Sequence, residues 1–296
     1  MMKKSALFVG YLLVIASAFL FGCMPLLTKL IYAQGMDSLS LVFLRNALSV
    51  PMLGLLVVCR GESLRVPGKA LLPMGAVGAM GCALTPLLLF ASYHYIASGT
   101  ATVLHFIYPA LTVVGGVLFF RQRVKVGTIL CVALCVAGIC LFYDPGEPLD
   151  LRGGALAVGS GVTYAGYILL LSAFAYKEEI SGFRFSFWVS AISAAALMVI
   201  CLLRGGLTLP TTLTGWLLCL LLALVINVGA VVLFQQGAFR IGGQRASILS
   251  TVEPITGIFV GWLVFQERIG PGTAVGSALV ILAGILVAIF DANKKQ

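Results

Sequence analysis

The chain has 296 residues, 60% of them hydrophobic and only 10% charged, with a mean hydropathy of +1.10. A soluble domain carries about 25% charged residues, so this composition excludes a surface that faces water over most of its area. The formal charge of +9 does not mark a nucleic-acid binder, because the cations sit in short connectors between apolar runs rather than in one patch.

Ten apolar runs follow in chain order: Val9–Ile31, Leu39–Val58, Leu71–Tyr93, Thr100–Phe120, Val126–Tyr143, Gly153–Ala175, Phe185–Leu203, Leu213–Phe239, Ala246–Phe265 and Gly272–Phe290. Each approaches the ~20 residues that a helix needs to cross ~30 Å of hydrocarbon. They are continuous rather than alternating, which argues against a β-barrel. The expected fold is an all-α polytopic membrane protein of ten transmembrane helices, with no soluble domain in the short gaps. Lys3, Lys4 and the later "LFGC" (Leu20 to Cys23) imitate a lipoprotein signal. The apolar run continues to Ile31 and Phe21 is bulky for such a site, so an uncleaved first helix is the better reading.

Loop charge sets orientation. With the N-terminus in the cytoplasm, the inner segments hold Lys3, Lys4, Arg60, Arg65, Lys69, Arg121, Arg123, Lys125, Lys177, Arg184, Arg240, Arg245, Lys294 and Lys295. The outer loops hold only Arg152, Arg204 and Arg268, and "YDPGEPLD" is acidic. This predicts a multi-pass protein of the cell membrane with both termini cytoplasmic. All eight cysteines lie in or at the edges of the apolar runs, without a CxxC–His pattern, and read as small packing residues. No metal or cofactor is expected.

The chain repeats itself once. "LHFIYPALTVVGGVLFFRQRVKVGT" matches "LSTVEPITGIFVGWLVFQERIGPGT" at a constant offset of 145 (249 − 104), aligning Leu104, Pro109, Gly116, Leu118, Phe120 and Arg123 with Leu249, Pro254, Gly261, Leu263, Phe265 and Arg268. Gly10 and Gly22 match Gly154 and Gly166 at an offset of 144 (154 − 10). The expected units are residues 1–146 and 147–296, with five helices each. Five is odd, so the second copy enters the membrane from the opposite side. Loop charges swap accordingly: "RQRVK" is basic while its mate "QER" is nearly neutral, and "SYHYIASG" has no Lys or Arg while "AFRIGGQR" has two Arg. Inverted repeats are a secondary-transporter design with the substrate near the midplane.

These features resemble the EamA-like family of the drug/metabolite transporter superfamily. The matching stretches are "SAFLFGCMPLLTK", "FLRNAL", "LHFIYPALTVVGG" and "EPITGIFVGWLVFQERIG…VGSALVILAGI", in order over essentially the whole chain. The resemblance implies two five-helix repeats and transport of amino acids or other small metabolites. One position departs: the glutamate usual after the fourth helix is Gln122, whereas its mate Glu267 is present.

Ionisable groups inside a span cost roughly 2.5–3.5 kcal/mol at helix centre, so each needs a reason. Glu253 is the acidic residue well inside an apolar run, and its repeat mate is Tyr108; matched prolines, Pro254 and Pro109, follow them. Proline removes a helix hydrogen bond, and freed carbonyls are tolerated where they are buried in protein or line a cavity. Two breaks at repeat-related positions point to a substrate site between the halves, with Glu253 and Tyr108 at it and His105 one turn before Pro109. The plainer reading is a pair of packing kinks. Lys29 and Arg45 either attract an anionic group, or snorkel and tie neighbouring helices respectively. Asn227 reads as interhelical glue or a substrate contact. Trp188, Tyr164 and Tyr167 read as aromatic walls or packing. Ala157, Gly161, Ala165, Gly272 and Gly276 read as helix contacts.

The expected function is a secondary transporter of amino acids or related amines, an exporter in direction, with proton coupling open through Glu253. The expected partners are a small-molecule substrate and the lipid bilayer, with no nucleic acid, and the chain is a monomer or homodimer. A channel or facilitative pore is the alternative. An intramembrane enzyme is weaker: "GSG" (Gly159 to Gly161) with His94 or His105 gives neither paired carboxylates nor a metal-ligand cluster, and no GxxxxGK[ST] occurs for direct ATP drive.

Overall fold

A computed structural model describes residues 2–122, 124–141, 150–175, 180–265 and 270–292. Most of the "YDPGEPLD" connector, with Arg123, Lys177, Glu267, Arg268, Lys294 and Lys295, lies outside the described residues. Among the described residues the fold is all-helical, with no strand.

The first span is two helices, α1 (Met2–Phe21) and α2 (Met24–Tyr32), separated at Gly22–Cys23, with Pro25 in the first turn of α2. α3 (Ser38–Cys59) starts on the side chain of Asp37, which accepts from the amides of Leu39 and Ser40. This caps two of the orphan donors at a helix start. The third span joins α4 (Gly68–Gly78) to α5 (Thr85–Ser92) through a π-helical segment, Ala79–Leu84. α6 (Ser98–His105) and α7 (Tyr108–Phe120) form the fourth, interrupted at Phe106–Ile107 ahead of Pro109. α7 ends on Arg121 at φ 50°, the left-handed conformation that closes many helices. α8 (Val126–Cys140), α9 (Leu151–Ala175) and α10 (Gly182–Leu203) are unbroken. A second π-helical segment, Ala223–Val231, sits between α11 (Leu213–Leu222) and α12 (Val232–Ile241). α13 (Gly243–Leu249) passes through a 3-10 turn, Ser250–Val252, into α14 (Glu253–Phe265), and α15 (Pro271–Ala292) closes the chain.

Among the described residues, seven stretches are long and apolar enough to cross a membrane: Ala6–Tyr32, Ser38–Cys59, Gly68–Ser92, Ser98–Phe120, Leu151–Phe174, Gly182–Leu203 and Leu213–Ile241. Val126–Cys140 and Ala274–Leu286 are shorter apolar helices. The sequence reading of ten spans is therefore coarser here, a multi-pass helical membrane protein. Large apolar side chains such as Leu55, Phe119, Leu217 and Leu263 are exposed around the bundle, as a lipid-facing surface requires.

The principal contacts join a helix before residue 146 to one after it: α3 packs on α10, α8 on α15, α1 on α12 and α5 on α9. The α8–α15 contact is so close that a Cβ on Gly138 would lie 2.7 Å from the carbonyl oxygen of Gly276. Small residues allow such approach, and close packing is what holds helices together where lipid is as apolar as the core.

Candidate functional site

The helix interruptions converge. Phe21 and Met24 flank the α1–α2 break, His105 ends α6, Glu253 begins α14, Gly81 and Cys82 lie in the first π-helical segment, and Val231 ends the second. All seven line one cavity, together with Arg45 of α3, Thr85, Pro86 and Leu89 of α5, and Tyr164 and Tyr167 of α9. A regular helix consumes its own carbonyls, so polar backbone can face a cavity only where the ladder is disturbed.

Side chains from neighbouring helices satisfy carbonyls of the disturbed segments. The Asn46 amide donates to the carbonyls of Cys82 (2.9 Å) and Val42 (2.8 Å). The Ser17 hydroxyl donates to Ala230 O in the second π-helical segment (2.7 Å). At the α6–α7 break, α9 comes close through Gly161, where a Cβ would stand 2.5 Å from His105 O. Ser160 on the same contact is 2.8 Å from His105 Nδ1, and its hydroxyl lies 2.6 Å from Ala157 O. At the α1–α2 break, Gly22 plays the same part: a Cβ there would meet Glu253 O at 2.8 Å.

Two ionisable side chains face this cavity. Arg45 is buried, yet its hydrogen-bond partner among the described residues is the Met24 sulfur, 3.9 Å from Nη1, and its Nε has none. Its guanidinium carbon lies 5.9 Å from the centroid of the Phe90 ring. Glu253 is buried and has neither a hydrogen bond nor an ion pair with any described residue, Arg45 included. Tyr164 is within electrostatic reach of both. The wall is aromatic: Tyr164 stacks on Tyr167 at 5.4 Å and meets Tyr108 edge-on at 4.7 Å.

Of the residues singled out by sequence, Glu253, His105, Arg45 and Tyr164 come together on the cavity. Tyr108 stands behind the wall, its hydroxyl 2.6 Å from Ser250 Oγ, so it ties the start of α7 to the 3-10 turn before Glu253. Asn227 lies in the second π-helical segment and donates to Arg45 O (3.2 Å), while its Nδ2 is also 3.2 Å from Asn46 Oδ1. Lys29 is exposed on α2, away from the cavity. Trp188 donates its indole N–H to Leu64 O at 2.7 Å, at the end of the bundle where the 60–66 loop meets α10. Sequence reasoning missed Phe21, Met24, Gly81, Cys82, Thr85 and Val231. Pro25 and Pro86, each inside an apolar run, are the signals that mark two of these places.

The family model for the EamA-like transporter family matches residues 8–143 and again 151–289. The chain belongs to the EamA-like transporter family. An uncharacterized transporter of Archaeoglobus fulgidus is 30% identical over 283 residues, 94% of this chain and 96% of that protein. The uncharacterized transporter YcbK of Bacillus subtilis is 23% identical over 282 residues, 90% of this chain and 89% of that one. A solved crystal structure superposes with a TM-score of 0.76 at 17% identity and covers 99% of both chains, a likeness of fold. The EamA-like assignment and its transporter relatives make this chain a multi-pass membrane transporter and point away from an enzyme.

Proposed function

We propose that this EamA-like protein is a secondary transporter that exports amino acids or related amines across the cytoplasmic membrane by alternating access. The observation that carries the reading is the cavity itself. Its lining comes from both halves of the chain, with buried Glu253 from the start of α14 and buried Arg45 from α3. Buried charges that face a cavity rather than each other are ligand contacts more readily than structural ties.

Two further observations support an inverted repeat of residues 1–146 and 147–296, with five helices each. Exchanging the halves turns the α1–α12 contact into the α9–α5 contact, and maps α3–α10 and α8–α15 onto themselves. A twofold axis has that property. The π-helical segments also match: Ala79 and Leu84 plus 145 fall on Leu224 and Gly229, inside Ala223–Val231. Placing both termini in the cytoplasm puts Arg60, Arg65, Arg184, Arg240 and Arg245 on the inner side, in accord with loop charge.

Glu253→Gln tests the role of the carboxylate, because it keeps the shape and loses the charge. In proteoliposomes with an imposed pH gradient, proton-driven accumulation of amino acids should disappear while solute exchange persists. A carboxyl can hold either a proton or a substrate ammonium group, so a single residue can trade one for the other. Normal transport by the variant in both assays, with unchanged pH dependence, overturns the reading.

A further inference from the structure

Arg45 and Glu253 line one cavity and have no oxygen or nitrogen partner among the described residues. In a medium of low dielectric, bringing them together would satisfy both. Yet no ion pair joins them, and they stand on different elements, α3 and α14. The backbone at Arg45 is anchored: its carbonyl accepts from Asn227, and Asn46 beside it donates to Val42 O and Cys82 O. The guanidinium presents a planar set of donors and cannot deprotonate, so it calls for an anion. The carboxylate calls for a cation.

We propose that the cavity is a zwitterion site, in which Arg45 takes the substrate's carboxylate, Glu253 takes its ammonium group, and the aromatic and aliphatic wall takes an apolar side chain. This rests on the transport reading and narrows it, because it admits amino acids and rejects simple amines. A ligand with one charged group leaves the other buried side chain without its partner. A site built to pair a polar group discriminates strongly against the analogue that lacks it, here by about 100-fold or more. Phe21, Leu89, Tyr164 and Tyr167 supply the apolar surface.

The test uses two families of probes that differ only in charge: leucine, 3-methylbutylamine and 4-methylpentanoate, and phenylalanine, 2-phenylethylamine and 3-phenylpropanoate. Thermal stabilisation of the purified full chain is read for each, with the remaining standard amino acids as a panel. An amino acid should stabilise the wild type, with its amine and acid at least about 100-fold weaker. Arg45→Gln should erase the preference over the amine, and Glu253→Gln the preference over the acid, which a merely structural role would not do. The wild-type comparison stands even where a variant fails to fold. Equal binding of amine and amino acid overturns the proposal, as does the absence of a response to any standard amino acid. Flux of a solute in proteoliposomes separates these outcomes from a failure of the transport reading itself: amine-only transport would sink the zwitterion site and leave the transporter.

Discussion

Asp37 is the residue whose protonation the fold controls outside the spans. It caps α3, accepting from the amides of Leu39 (2.9 Å) and Ser40 (3.0 Å) and from the Ser40 hydroxyl (2.8 Å), with Arg204 Nη1 at 3.4 Å. Burial pushes its carboxyl up, but the Ser40 amide and hydroxyl and Arg204 outweigh it and hold the group below its usual value. The folded state thus favours the carboxylate. Its contribution is fully present above the unfolded value, about 4, and is lost as pH falls through the lower folded value. Asp37→Ala should cost about 1 kcal/mol at neutral pH, as for other N-caps. The Tm gap between wild type and variant should shrink below about pH 4, and a gap independent of pH would count against the assignment. Arg204 is 63% exposed, so Arg204→Ala should cost well under half as much. At this scale the sequence was partly legible. Lys29 and Arg45 looked alike as cations near one end of two spans, yet α2 turns Lys29 outward and α3 turns Arg45 onto the cavity. Lipid and protein core are equally apolar, so a uniformly apolar helix does not announce its inner face.

The elements that shape the site are the disturbed ones. Pro109 and Pro254 mark two of them in the sequence, because proline removes a backbone donor. The first π-helical segment, Ala79–Leu84, is followed closely by Pro86, but the second, Ala223–Val231, has no proline to mark it, and tertiary ties from other helices take carbonyls of both. Asn46 and Asn227 join the two segments through α3, with Nδ2 of Asn227 3.2 Å from Oδ1 of Asn46. Removing either side chain should leave buried polar groups unpaired and lower the Tm. Because they share a bond, Asn46→Leu and Asn227→Leu should be non-additive, with a coupling of about 0.6–1.7 kcal/mol, the range for polar pairs between membrane helices. A double-mutant cycle in detergent measures it; strictly additive losses would mean that the segments are independent. Gly161→Val belongs to the same scale. A side chain pressed against His105 O and Ile107 should destabilise by about 1–3 kcal/mol through overpacking.

At the scale of the molecule, both ends of the bundle are crossed by bonds between the halves. At one end Thr212 donates to Gln34 (2.7 Å), the Thr208 amide donates to Ser40 (2.9 Å), and Arg204 meets Asp37. At the other, Trp188 donates to Leu64 O, Arg184 to Arg65 O, Ser181 bonds Glu62, and Arg60 stacks on Phe183 at 4.2 Å. The repeat and the doubled family match were legible in the sequence as an offset; these two layers were not, because surface polar residues in loops carry no periodicity to read. Ties between the halves at both ends suit alternating access, in which one layer opens while the other holds, and not a pore, which needs both open together. Cross-linking each layer separately decides between them. Gln34→Cys with Thr212→Cys closes one end, and Glu62→Cys with Ser181→Cys the other, in a background where exposed Cys59 and Cys140 are replaced. After reaction with a short bismaleimide, either link should abolish net flux in proteoliposomes. Thermal stabilisation by substrate should survive in both, since the cavity residues are untouched and each link leaves the opposite end free to open. Flux that persists with one end linked would show that the layer is no gate, and alternating access would have to be given up for these two layers.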